Sequence, residues 1–129
     1  MPSDYLLDSN IAIALLNGHL DLVGRLDPET QLYVCPAVVA ELLYGALKSA
    51  KVEANTRRVQ DLARIFPVLP CTYETARQFA AIQDRLRRKG RPIPINDQWI
   101  AAAALEHRLV VATRDGHFGG IEGLPVESW

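Results

Sequence analysis

The feature that most constrains this chain is an alternation of short, uninterrupted apolar runs with longer stretches of helical periodicity. Tyr5 to Leu7, Leu32 to Val34, Val68 to Leu69 and Leu109 to Ala112 carry no polar position between their ends. Strands covered on both faces read this way, because neither set of side chains meets water. Helical spacing runs over Ile11 to Leu16, Leu20 to Leu26, Pro36 to Ala50, Val52 to Phe66, Tyr73 to Lys89 and Asp97 to His107. The predicted order is β-α-β-α-α-β-α-α-β, with a further strand near Val126. With right-handed crossovers this order builds an α/β fold, a mostly parallel sheet of four to five strands sandwiched between helices. Pro36 suits a first helical turn, Gly90 follows the basic end of a helix, and Asn96-Asp97 offers a cap for the helix after it. Gly116 to Pro125 reads as a surface loop.

A chain of 129 residues, 49% of them hydrophobic, has the size and apolar content of one compact domain, here residues 1–129. It shows no repeat, low-complexity tract or interdomain linker. Cys35 and Cys71 end apolar stretches without a C-x-x-C spacing, and read as reduced core residues of a cytoplasmic protein. The first residues carry acids where a secretory leader would carry Lys or Arg. No segment approaches the ~20 apolar residues of a membrane helix. The expectation is a soluble, cytosolic protein without a membrane partner. A net charge of −1 gives no bulk attraction to nucleic acid, so any RNA binding must come from local arrangement.

In an open parallel sheet, ligands bind beyond the carboxyl ends of the strands. Two acids stand there: Asp8 closes Tyr5-Leu6-Leu7-Asp8-Ser9-Asn10, and Asp115 follows Leu109-Val110-Val111-Ala112-Thr113-Arg114. If those strands are neighbours, both carboxylates share one crevice. Asp8 also suits a helix cap, although Ser9 or Asn10 would serve that need, and Asp115 before Gly116 is ordinary turn chemistry. Glu41 flanks the apolar side of a helix formed by Val39, Leu42, Leu43 and Ala46, with Ala37 and Gly45 one turn away leaving room for a metal or ligand. A solvated helix acid is the plain alternative; the apolar surroundings favour partial burial, which requires a cation partner. Asp97 opens the helix from Gln98 to Leu105, where a first-turn acid gains ~0.3–1 kcal/mol from the helix dipole. Ile93-Pro94-Ile95 before it is an apolar approach that delivers Asn96-Asp97 to an interior position.

Carboxylates brought close to one another cannot all stay ionised without compensation, and a divalent cation supplies it. Mg²⁺ and Mn²⁺ prefer carboxylate oxygen, whereas Zn²⁺ sites use His or Cys. His19, His107 and His117 are scattered without metal-ligand spacing, and His117 reads as a surface-loop residue. An acid-bound metal lowers the pKa of a water and neutralises charge on a leaving oxygen, which is the chemistry of phosphodiester hydrolysis. Asn10 and Thr113 are placed to orient carboxylates or water by hydrogen bonding.

The blocks Asp8-Ser9-Asn10, Val39-Ala40-Glu41-Leu42-Leu43-Tyr44-Gly45, Asn96-Asp97 with its alanine-rich helix to Glu106-His107, and Leu109 to Asp115 followed by His117-Phe118 resemble, in order and spacing, the PIN-domain family. The likeness is greatest to VapC-type toxins of toxin-antitoxin pairs, and covers nearly the whole chain. The resemblance implies a PIN-like α/β/α sandwich, an acidic Mg²⁺/Mn²⁺ centre, endoribonuclease activity, and a homodimeric toxin neutralised by a small antitoxin. It carries metal binding onto Asp8, Glu41 and Asp97, with Asp115 as fourth acid and Asn10 and Thr113 in support. Ser9 stands where Thr is frequent, and Gln98-Trp99 where smaller or aliphatic residues are common; Trp99 reads as a core side chain.

The main basic cluster is Arg85-Leu86-Arg87-Arg88-Lys89-Gly90-Arg91. Arg85, Arg87, Arg88, Lys89 and Arg91 are candidates for holding RNA phosphates, and equally suit a solvated helix end whose cations meet the negative end of the dipole. Two enzyme rivals lack support. A dehalogenase-like phosphatase would want a second Asp where Asn10 stands, and neither a Walker loop nor G-x-G-x-x-G is present. The rival from another class is a catalytically silent PIN-like subunit that acts with an antitoxin in a DNA-binding repressor. Retention of all four acids argues against it.

Overall fold

The computed structural model describes residues 3–21 and 26–129. Its elements run β1 (Tyr5–Leu7), α1 (Ser9–Leu16), β2 (Leu32–Tyr33), α2 (Pro36–Leu47), α3 (Val52–Ile65), α4 (Tyr73–Arg88), α5 (Ile95–His107), β3 (Val110–Thr113), a 3₁₀ turn (Gly116–Gly120) and β4 (Val126–Ser128). The four strands form one parallel sheet in the order β2-β1-β3-β4. The α/β architecture predicted from the apolar runs is therefore the observed one.

β1 explains why its sequence is apolar throughout. It is paired on both edges and covered on both faces, so Tyr5, Leu6 and Leu7 are all buried. Each fully buried leucine there contributes about 1.5–3 kcal/mol. β4, by contrast, lies at the sheet's edge and is exposed along its length. The alanines at 101–104 of α5 are at most 4% exposed. Their small side chains let this helix sit closely against β1, β3, α2 and α4. Pro36 occupies the first turn of α2, as expected. Gly90 adopts φ 65° after α4, the left-handed conformation that glycine permits at a helix end.

Several expectations need correction. Val68-Leu69 is not a strand: it forms a single parallel bridge from Val68 to Val34, and Leu69 N–H donates to the Val34 carbonyl. Pro67 and Pro70 on either side lack the N–H groups that would extend a ladder. The predicted helix Leu20 to Leu26 falls largely on residues 22–25, outside the described residues, and Leu20 and Leu26 are not helical. Gly116 to Pro125 is no plain surface loop, because the 3₁₀ turn and its exit bury Phe118 and Ile121. α5 begins at Ile95 with Pro94 as its cap residue, so Asp97 lies inside the first turn rather than capping it. Cys71 is exposed rather than core; Cys35 is buried, and burial pushes its thiol up to about 11, leaving it unreactive. Trp99 is half-buried rather than a core side chain, stacked on Phe79 with ring centroids 4.1 Å apart. No helix among the described residues is long and apolar enough to cross a membrane.

Candidate metal centre

The register of the sheet builds the site. Leu7 of β1 pairs with Ala112 of β3, so Asp8 and Thr113 leave the carboxyl ends of adjacent strands side by side. Asp8 is 5% exposed. One of its oxygens accepts from its neighbour's backbone, Ser9 N–H at 2.8 Å, in the manner of a helix cap. The other accepts from the Thr113 hydroxyl at 2.6 Å and, weakly, from the Asn10 amide at 3.5 Å. Capping and site roles thus coincide in one residue. Burial raises the Asp8 carboxyl above its ordinary value; the bonds from Thr113 and Ser9 oppose this, and the charges of Asp97 and Asp115 add to it.

Thr113 ties two acids together, since its hydroxyl also accepts from the Asp115 N–H at 2.9 Å. Asn10 braces the same corner by accepting from the Arg114 N–H at 3.3 Å. Asp115 caps the 3₁₀ turn by accepting from the His117 N–H at 3.0 Å. From the opposite side, the first turn of α5 presents Asp97. Asp8, Glu41, Asp97 and Asp115 all line one open cavity of about 570 Å³.

His117 was expected to be a bystander, and is not. Its Nδ1 lies 2.7 Å from Asp97 Oδ2 and 3.1 Å from Asp115 Oδ2. The hydrogen bond to Asp97 raises its imidazole above the ordinary value, with the charge of Asp115 adding to the effect. The side chain is 47% exposed, so surface placement was right and isolation was wrong. The available signal was its spacing of two residues from Asp115 on a tight turn. It also alters the argument over donors, because ligand atoms of Asp97, Asp115 and His117 all lie within 4.8 Å of one another. Carboxylates still dominate the donor set, and a cluster of acids around one shared imidazole fits a hard divalent ion.

Glu41 departs from expectation in the other direction. It lines the cavity from α2 but is exposed, because the buried face of that helix is Val38, Leu42 and Ala46. The approach to Asp97 is likewise exposed at Ile95 and Asn96 rather than interior. None of the predicted phosphate-binding cations enters the acidic cavity. Arg85, Arg87 and Arg88 are exposed on the last turns of α4, with Arg88 held by Asp84 at 3.2 Å. Lys89 and Arg91 line a separate cavity of about 530 Å³.

Comparison with known proteins gives one consistent result. A sequence model described as "PIN domain" matches residues 5–124. The chain is 32% identical over 124 residues to Ribonuclease VapC5 of Mycobacterium tuberculosis, across 95% of this chain and 90% of that protein. It is 31% identical over 130 residues to Ribonuclease VapC1 of Haemophilus influenzae, with 97% of each covered. The crystal structure of VapBC2 from Rickettsia felis bound to a DNA fragment from their promoter matches with a TM-score of 0.88 at 26% identity, covering 97% of this chain and 98% of that one. VapBC-1 from nontypeable Haemophilus influenzae matches with a TM-score of 0.87 at 31% identity over 97% of both. On the family match and these identities, the chain belongs to the PIN-domain family.

Proposed function

We propose that this protein is a metal-dependent endoribonuclease, the toxin of a type II toxin-antitoxin pair, which hydrolyses RNA phosphodiester bonds at an Mg²⁺ or Mn²⁺ centre held by Asp8, Glu41, Asp97 and Asp115. The observation that carries this reading is the convergence of those four carboxylates on one cavity at the carboxyl ends of β1 and β3. The ribonuclease names of the VapC relatives support the same chemistry.

A divalent ion bound there would activate a water and neutralise charge on the scissile phosphate. The chain's own residues provide the geometry. Thr113 and the Ser9 amide fix the orientation of Asp8, so its oxygens need no reorganisation when a ligand arrives. Thr113 and Asn10 together hold the Arg114-Asp115 loop against the start of α1. His117 lies within hydrogen-bonding distance of both Asp97 and Asp115 and ties the 3₁₀ turn to the start of α5. Glu41, free of this network, supplies a movable carboxylate on the far wall.

A small antitoxin is the partner that the surface accommodates. An apolar groove lined by Ile13, Leu16, Leu42 and Val59 opens from the acidic cavity, sharing Ile13 and Glu41 with it. It leads on to a second groove over Leu15, Leu62 and Ile65. An amphipathic antitoxin segment laid along it, with a cationic residue at its end, would cover the grooves and occupy the acidic cavity. The toxin acts as a homodimer in the cytoplasm, and DNA binding belongs to the complex through the antitoxin.

The test is cleavage of labelled total RNA by the purified, antitoxin-free protein with Mg²⁺ or Mn²⁺, alongside EDTA and a folded Asp8→Asn variant. Metal-dependent cutting that disappears in Asp8→Asn is the expected result. Intact RNA across several classes would favour the silent repressor subunit instead.

A further inference from the structure

We propose that the cavity between Lys89 and Arg91 on one side and Gly119-Gly120 on the other is a subsite for a backbone phosphate of the RNA strand, beside the acidic centre. This rests on the ribonuclease reading above. The cavity measures about 530 Å³. Its walls belong to two segments that also wall the acidic cavity. One segment carries Lys89 and Arg91 and continues to Pro94 and Ile95; the other is the 3₁₀ turn, with His117 in one cavity and Gly119-Gly120 in the next. At a 3₁₀ rise of ~2 Å per residue, those glycines stand ~4–6 Å along the turn from His117. Successive phosphates along a single strand lie about 6–7 Å apart, against the ~3.4 Å axial rise per nucleotide of a duplex strand. A strand leaving the scissile position therefore meets the second cavity within about one or two phosphates.

Three observations separate this place from a solvated helix end. Lys89 and Arg91 form no ion pair among the described residues, whereas Arg88 of the same cluster is engaged by Asp84. The backbone carrying them is fixed: Gly90 N–H donates to the Arg87 carbonyl and Arg91 N–H to the Leu86 carbonyl, closing a Schellman turn around Gly90. Across the cavity, a Cβ on Gly119 or Gly120 would meet no atom within 4 Å, and neither glycine has a positive φ. The backbone does not require glycine there, and the missing side chains leave the space open. Glu122 also lines the cavity and offsets part of its positive charge.

The experiment uses Mn²⁺-loaded full-length protein and a pool of labelled, short, random-sequence oligoribonucleotides, read as KM and kcat over a series of salt concentrations. The Lys89→Gln/Arg91→Gln double variant should raise KM roughly tenfold with kcat within about twofold. It should also make the salt dependence of log kcat/KM shallower by about 0.7, the value for one single-strand phosphate contact. Gly120→Glu should raise KM in the same way without lowering the melting temperature, Glu122→Gln should lower KM, and Lys89→Arg/Arg91→Lys should stay near wild type. Wild-type KM and salt slope in both Gly120→Glu and the double glutamine variant would overturn the subsite while leaving the ribonuclease reading intact. A loss confined to kcat would overturn it equally, as the mark of a structural defect. A wild-type protein that leaves the pool uncut would sink the ribonuclease reading and the subsite with it.

Discussion

The two walls of the acidic cavity are built on different principles. On the sheet wall, Asp8 is 5% exposed and its oxygens are bonded to Ser9, Thr113 and Asn10, with Thr113 also holding the backbone of Asp115. On the helix wall, Glu41 extends from an exposed position of α2 into the same space. One carboxylate is pre-organised by the central strands, and the other is free to adjust. A cation site made this way has a rigid half that sets its position and an adaptable half that can follow a ligand or yield to an inhibitor.

The largest effect expected from this contrast is at Asp8. Asp8→Asn should lower metal-dependent RNA cleavage by ~10²–10³-fold or more, in line with the several kcal/mol that metal-held charge contributes to a transition state. The variant should stay folded and lose the rise in melting temperature that Mn²⁺ gives the wild type. That rise corresponds to about 2.7 kcal/mol at an ion concentration one hundred times Kd. Equal Mn²⁺ stabilisation of both proteins would place the ion elsewhere.

Thr113→Val comes next. It keeps the shape and removes one hydroxyl, leaving Asp8 Oδ2 short of a donor and the Asp115 N–H short of an acceptor. Stability should fall by ~1–3 kcal/mol and Mn²⁺ affinity by ~10–100-fold, measured by melting and by calorimetric titration. Thr113→Ser should recover both. A neutral Thr113→Val would show that the strand ends hold their acids without the hydroxyl.

Glu41→Gln, on the other wall, should change stability by less than ~0.5 kcal/mol, as exposed substitutions do. Its effect on Mn²⁺ affinity should also be smaller than that of Asp8→Asn. If Glu41→Gln matched Asp8→Asn in calorimetry, the division into rigid and adaptable walls would fail.

The smallest effect is the pH dependence of the metal-free protein. Burial raises the Asp8 carboxyl, so that residue favours the native state below the unfolded carboxylate value of ~3.9 and loses this contribution as pH rises through its folded value. His117, raised by Asp97, contributes stability that is present below ~6.5 and lost as pH rises through its own folded value. Both act in one direction, so melting temperature in EDTA should decline from mildly acidic to mildly alkaline pH. Saturating Mn²⁺ should reduce that slope, and an unchanged slope would detach both groups from the ion.

Much of the fold was legible because its signals are local. β1 is apolar at each position because both its faces are covered, Pro36 suits a first helical turn, and Gly90 suits a left-handed helix end. Val68-Leu69 misled because a two-residue apolar run looks alike as strand or as bridge, and the flanking prolines decided the matter. Phe118 and Ile121 were hidden in a glycine-rich stretch whose composition suggests a loop, while their contacts are long-range.

The sequence by itself determined the α/β class, the mostly parallel sheet and the identity of the acids at the strand ends, since each follows from residue type and spacing along the chain. Only the tertiary structure decided how those acids are held. The pairing of Leu7 with Ala112 brings Thr113 to Asp8 across 105 residues, and the 3₁₀ turn carries His117 to Asp97 on α5. It also left Glu41 exposed and set Lys89 and Arg91 against Gly119-Gly120. Periodicity specifies which face of an element is buried; distances between side chains far apart in sequence depend on strand register and helix packing, which the whole chain sets together.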